Sequence, residues 1–324
     1  VLVSDSLMFQ RGGPSPSDPD LGNFYGLALP LLKQGLPVAP VQLENVTAPH
    51  YLDDFRILLL SYDGQKPLSP DVHAPLAAWV KRGGVLIFSD EDADPYLKVR
   101  EWWNSGGKNY ATPREHLFEL LGIGNPVATN QFIPINQGGL IWRRERPAAF
   151  SASAEGAAQV VAAAKLAAAS IGLKWRASNY LLLRRGPYLI AAGLDESVAG
   201  PPRSLHGRFV SFFDSELRVQ NDISIGPGSR WFLLDLDSSG AGGPRLLASA
   251  CKALPTAQTR HQITFTVEGV GGTPALMLLQ SPQAPSAVRL DDQPLTTFEY
   301  SAKERLLWIH FQNDVVPRQL TVQY

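Results

Sequence analysis

Between residues 90 and 104 the chain concentrates side chains able to hold a polar ligand. Asp90-Glu91-Asp92-Ala93-Asp94-Pro95-Tyr96 is followed by Glu101-Trp102-Trp103-Asn104. Carboxylates and a carboxamide bind sugar hydroxyls, and a flat aromatic face covers the C–H face of a pyranose. Asp90, Asp92, Asp94, Tyr96, Trp102, Trp103 and Asn104 are therefore expected to contact a ligand or line the rim of a neighbouring pocket. Adjacent helical residues point about 100° apart, so the two tryptophans cannot stack on one ring. One is expected in a core and the other exposed or at an interface. Asp90, Asp92, Asp94 and Glu101 also fall on positions 1, 3, 5 and 12 of a calcium-loop count,. Pro95 stands where that turn needs glycine, and no helix precedes the loop. Calcium thus stays a candidate beside a plain reading, in which the aspartates are solvated and cap the next helix.

Other chemistry is sparse. Glycoside hydrolysis needs two carboxylates about 5 Å or about 6.5–9.5 Å apart, and no pair is marked by its spacing. No catalytic residue is assigned. His50, His73, His116, His206, His261 and His310 lack the spacing of a metal site,, and each reads as a surface or satisfied core residue. Cys251 is the only cysteine, which excludes an intramolecular disulfide or a cysteine zinc site and leaves the compartment open. An extracytoplasmic or secreted location is the expectation. Arg143-Arg144-Glu145-Arg146 and Arg184-Arg185 read as outward positions in salt bridges. With 29 basic and 30 acidic residues the net charge is −1, so no field attracts nucleic acid or an anionic membrane. No cofactor is called for.

The positioning elements follow from pattern. A length of 324 residues suits at least two domains of ~150 residues,. The 28 glycines and 26 prolines imply many turns, and no apolar stretch approaches the ~18 residues of a membrane span. Val1-Leu2-Val3 reads as a strand already under way, so the chain is expected to be a piece of a longer protein. Arg11–Asp20 is a loop. Phe24–Gly35 has helical spacing, with Pro30 a possible kink. Val38–Leu43, Ile57–Ser61 and Val85–Ser89 are strands, Tyr51–Phe55 is a short helix or turn, and Ser69-Pro70 opens a helix ended by Gly83-Gly84. Thr112–Glu115 is a capping box, Leu140–Arg144 a strand, and Ala154–Ile171 an alanine-rich helix. This order predicts a doubly wound parallel sheet.

After about Trp175 the period changes to two. Strands are expected near 180–184, 188–193, 207–213, 222–225, 231–236, 263–267, 275–279, 287–290, 306–311 and 319–322. Asp291-Asp292-Gln293 is a hairpin turn, 238–243 a linker, and Leu246–Cys251 a short helix. The fold class is α/β plus all-β, with domains at 1–175, 176–245 and 246–324, the last two antiparallel β-sandwiches.

Two patterns carry a resemblance. Strand Ile57–Ser61, the Ser69-Pro70 helix and Trp79-Val80-Lys81-Arg82-Gly83-Gly84-Val85-Leu86-Ile87, with Phe24-Tyr25-Gly26 upstream, resemble the class I glutamine-amidotransferase-like domain of multidomain glycoside hydrolases. It is best known as the trimerisation domain of family 42 β-galactosidases. Gly207–Asp214, Ile223–Gly228, Val288–Asp292 and Leu306–Phe311 resemble the small β-sandwiches that close such enzymes. The resemblance implies a flavodoxin-like fold, a preceding catalytic (β/α)8 barrel in the same protein, carbohydrate as ligand, and a homo-oligomer. An active amidotransferase needs a cysteine at the strand-to-helix elbow. Ser89-Asp90-Glu91 stands there, and no Gly-x-Ser-x-Gly elbow replaces it.

The expected function is an ancillary, non-catalytic region of a glycoside hydrolase that serves oligomerisation and shapes the active-site rim. Two alternatives stay open: a stand-alone carbohydrate-binding protein, and one chain of a processed glycoside hydrolase.

Overall fold

A computed structural model describes residues 1–9, 22–124, 126–240 and 242–324, with only the backbone at Met8 and Phe9. The loop expected at Arg11–Asp20 lies outside them, as does Ala241 of the 238–243 linker. The chain is mostly sheet and divides into two compact units. The first is Val1–Leu181 with Gly193–Pro201, and the second Leu182–Ala192 with Pro202–Tyr324. A boundary expected at 245 falls inside the second unit.

In the first unit the order is β1 (Leu2–Val3), α1 (Ser6–Phe9), α2 (Gly22–Leu32), β2 (Val41–Gln42), β3 (Ile57–Leu60), α3 (His73–Lys81), β4 (Val85–Ser89), α4 (Pro113–Leu121), β5 (Phe132–Ile135), β6 (Gly138–Arg143), α5 (Pro147–Ala152) and α6 (Ala154–Ser170). β3, β4 and β6 pair in parallel, and β5 adds an antiparallel edge. Every residue of β4 is buried, as a central strand covered on both faces requires. On one face Leu58, Leu60, Leu86 and Phe88 pack with Leu76 and Val80 of α3 and Leu117 of α4. On the other, Leu59, Ile87 and Ile141 pack with Leu27 and Leu31 of α2 and Val160 and Ala164 of α6. Gly26 lets α2 cross α5 closely, because a Cβ there would lie 1.7 Å from the Pro147 carbonyl oxygen.

Several expectations are corrected. β1 and β2 pair in parallel with each other, as a separate two-stranded sheet, so one continuous parallel sheet is not formed. The strand expected at Val38–Leu43 is only Val41–Gln42; Pro37 and Pro40 have no N–H to give a ladder. Of the two alternatives at Tyr51–Phe55, helix or turn, the chain takes the turn. The capping box at Thr112 is incomplete: its buried hydroxyl has no partner among the described residues, and Glu115 accepts from the Ala111 N–H instead, at 2.8 Å.

The second unit holds β7 (Tyr180–Arg185) and β8 (Tyr188–Gly193), except Tyr180, Leu181 and Gly193, which belong to the first, and β9 (Arg203–Ser211), β10 (Val219–Ile225), β11 (Arg230–Asp235), β12 (Arg245–Ser249), β13 (Lys252–Gln258), β14 (Gln262–Glu268), β15 (Pro274–Gln280), β16 (Ala287–Leu290), β17 (Gln293–Pro294), β18 (Phe298–Ser301), β19 (Leu306–Gln312) and β20 (Arg318–Gln323). They form sheets ordered β10-β9-β11-β8-β7, β12-β15-β19-β18 and β13-β14-β20-β16-β17. The last two share a core of Phe265, Met277, Val288, Ile309 and Leu320. The helix expected at Leu246–Cys251 is strand β12. Leu246 lies opposite Leu279 and Ser249 opposite Met277, with a bulge between them; burial of apolar neighbours on the partner strand outweighs local preference.

Candidate functional site

The expected site residues follow β4, at the carboxyl end of the parallel strands of the first unit. Open α/β sheets bind ligands at such edges. Three strands contribute. β3 runs into Ser61-Tyr62-Asp63-Gly64-Gln65-Lys66, β4 into Asp90–Asp94, and β6 into Arg143–Arg146. Strand carbonyls and N–H groups run out of ladder partners here, and short polar side chains replace them.

Each aspartate takes a different part. Asp90 is buried, and its two carboxylate oxygens accept from the backbone N–H groups of Tyr62 (3.1 Å) and Asp92 (2.8 Å). Burial, reinforced by the nearby Asp92 and Asp63 carboxylates, pushes its pKa up to about 7 against the Asp92 N–H hydrogen bond and the Lys66 charge,. Asp92 sits in the left-handed region at φ 57°. It accepts from Nε and Nη2 of the buried Arg114 at 3.1 and 2.7 Å. The Arg114 guanidinium lies over the rings of Phe118 and Trp142, at 4.9 and 4.8 Å. Asp94 caps the 3-10 turn Pro95–Lys98 through the Tyr96 N–H (2.9 Å), and also accepts from the Gly64 N–H and the buried Lys66 ammonium. Burial opposes ionisation of Asp94, but Lys66 and the two N–H groups hold its carboxyl below the usual carboxylate range. Glu101 accepts from the Tyr96 hydroxyl at 2.9 Å.

The four carboxylates of the calcium count therefore turn to different partners and do not converge. Among the described residues no three His, Cys, Asp or Glu side chains gather as a metal site needs. Asn104 is spent on the loop itself. Its Oδ1 accepts from the Glu101 N–H (2.8 Å) and its Nδ2 donates to the Val99 carbonyl (2.8 Å). Trp103 is 1% exposed and belongs to the interior. Trp102 is partly exposed, donates from Nε1 to the Pro67 carbonyl (2.8 Å), and stands edge-on to Trp103 at 87°. Of the seven expected contact residues, Tyr96 and Trp102 alone present an aromatic surface outward.

The structure also joins residues that spacing left apart. His73 and His116, read as isolated, meet through their Nδ1 atoms at 2.9 Å, and the Tyr62 hydroxyl lies 2.7 Å from His73 Nε2. Trp102 stands edge-on to both imidazoles at 5.5 Å between ring centres. Burial, with His116 and Lys108 nearby, lowers the His73 pKa to about 3. Burial and Lys108 also lower that of His116, against Glu119. Asp63 is buried and accepts from Arg146 Nε at 2.7 Å. Ser89, at the elbow, donates to the Glu145 carbonyl at 2.9 Å. No local signal marks these partners, which lie 11 to 83 residues apart in sequence.

No family model and no curated protein matches the chain. Solved structures give remote likenesses. A β-galactosidase from Bacillus circulans sp. alkalophilus aligns at TM-score 0.40 and 9% identity, over 69% of this chain and 39% of its own. A GH31 dextranase from Flavobacterium johnsoniae aligns at 0.27 and 8%, over 79% and 38%. A GH42 β-galactosidase from G. stearothermophilus aligns at 0.23 and 11%, over 97% and 38%. The chain spans less than two fifths of each. No family follows from likenesses at this level.

Proposed function

We infer that this chain is an ancillary, non-catalytic region of a carbohydrate-active enzyme, serving oligomerisation and shaping the rim of an active site on another domain. The motifs of residues 24–26, 57–61, 69–70 and 79–87 support a flavodoxin-like, amidotransferase-like reading of the first unit. The β-sandwich motifs support closing domains in the second. One observation carries the non-catalytic part. At the strand-to-loop elbow, where an amidotransferase holds its nucleophile, Ser89 and both oxygens of Asp90 are taken up in holding backbone groups. A catalytic carboxylate pair must face a substrate across an open cleft; Asp63, Asp92 and Asp94 are instead paired with Arg146, Arg114 and Lys66.

The test is to purify the native protein from its source, measure its intact mass, and assay it beside the 35.3 kDa chain on aryl glycosides. A heavier native polypeptide with glycosidase activity that the chain lacks is the expected result. Turnover by the chain alone, abolished by Asp90→Asn, would overturn it.

A further inference from the structure

The second unit has a cavity of about 310 Å³, at the lower end of the ~300–1,000 Å³ of small-molecule sites. It lies between β9, the segment after β11, the end of β15 and the β18–β19 hairpin. A smaller recess of about 160 Å³ shares Gln280 and Arg305 with it. The lining is divided by chemistry. Leu236, Leu247 and Leu306 supply an apolar wall, and Arg208, Asp237, Gln280, Glu304 and Arg305 supply polar groups.

Three basic residues, Arg208, Lys303 and Arg305, and two acidic ones, Asp237 and Glu304, line the cavity, and Lys303 Nζ lies 3.7 Å from Glu304 Oε1. Arg208 Nε donates to Asp237 Oδ1 at 2.8 Å, and its Nη1 to Glu304 Oε2 at 3.4 Å. At Arg208 an anion would have to displace one of those carboxylates, and a cation would meet the guanidinium. A neutral hydroxyl breaks neither pair: it donates to a carboxylate and accepts from a guanidinium at once. One lining group is not committed. Gln280 Oε1 is buried with no hydrogen-bond partner among the described residues, although its Nε2 donates to the Gly240 carbonyl at 3.2 Å. A buried acceptor left bare costs free energy that a ligand donor can recover.

We propose that this cavity is a saccharide-binding site of the second unit, separate from the acidic loop of the first. The C–H face of a sugar ring lies on the leucine wall, and its hydroxyls engage Asp237, Glu304, Gln280 and Arg305. The choice of saccharide over another neutral polyol rests on the carbohydrate-active reading above.

The test uses the whole 324-residue chain, titrated with lactose, maltose, cellobiose and isomaltose and, in separate runs, with inorganic phosphate. Calorimetry and the arginine Nε–H signals in heteronuclear NMR are the readouts. Millimolar binding of at least one disaccharide, with shifts at Arg208 and Arg305, is expected. Arg305→Gly suits the backbone, which is at φ 56°, and is expected to weaken binding at least tenfold with an unchanged melting temperature. Glu304→Gln is expected to do the same, and Trp102→Ala to leave affinity unchanged. Absence of saccharide binding overturns the proposal, as does phosphate binding at these arginines. So does binding that survives both cavity variants or is lost with Trp102→Ala. Each of these outcomes leaves the mass and activity test of the ancillary role standing on its own.

Discussion

Arg114 and Asp92 form a charge pair with side chains only 9% and 19% exposed. Removing one partner of such a pair strands the other charge, at a cost of about 3–5 kcal/mol when burial is complete. Arg114→Ala is expected to cost about 3 kcal/mol in urea unfolding; a loss below ~1 kcal/mol would mean the pair behaves as a surface one. Asp90 and His73 act in opposite directions with pH. The Asp90 carboxyl titrates near 7 folded and near ~3.9 unfolded, so the folded state holds the extra proton between those values. Its contribution is full below about pH 4 and is lost as pH rises through 7. His73 titrates near 3 folded and near ~6.5 unfolded, so its contribution is full above about pH 6.5 and is lost as acid is added. Urea midpoints against pH should show Asp90→Asn steepening the acid loss relative to the parent, and His73→Gln steepening the loss toward neutral pH. Parallel curves for parent and both variants would sink this account.

At the scale of elements, two helix starts differ in how they are capped. Ser153 accepts from the Gly156 N–H at 3.0 Å and caps α6, whereas Thr112 makes no such bond before α4. Ser153→Ala is expected to cost about 1 kcal/mol, and Thr112→Ala distinctly less, by thermal melting; equal losses would contradict the geometry. The β16–β17 hairpin turns on Asp291 and Asp292, at φ 50° and 63°. That is the two-residue turn with both centres left-handed, which favours glycine second. Asp291 is anchored by the Gln319 N–H (2.8 Å) and Arg318 Nε (2.6 Å), while Asp292 can change. Asp292→Gly is expected to stabilise the chain by up to about 1 kcal/mol; a lower melting temperature would refute the turn assignment.

On the largest scale, the second unit is tied by one further cluster. Val210 and Leu234 of the first of its sheets pack with Leu276, Leu278 and Trp308, and Trp308 Nε1 donates to the Leu217 carbonyl at 3.1 Å. Residues on both sides of 245 thus share an interior. Trp308→Ala is expected to cost about 3–5 kcal/mol and to lower hydrogen-exchange protection in β9–β11 and β19 together. Loss confined to β19 would show that the two parts unfold independently.

Patterns confined to one stretch of chain were legible from sequence. The buried strands at 57–60 and 85–89, the alanine helix, the Asp291-Asp292 turn and most period-two strands follow from spacing and turn chemistry, which need no distant partner. Edge elements were not: Lys252–Gln258 and Phe298–Ser301 pair with the next strand but lie at sheet edges and carry no buried alternating face, and the helix expected at Leu246–Cys251 is an edge strand whose partner, Pro274–Gln280, lies far along the chain,. The acidic-aromatic loop was visible as composition, but composition cannot say where a carboxylate points. Lys66, Arg114 and Arg146 took Asp94, Asp92 and Asp63, and His73 found His116. The sequence by itself determined the elements and the stock of polar groups. Only the tertiary structure decided which groups are spent on one another and which face a cavity, since buried charge and polarity must be satisfied by whatever partner the fold brings near.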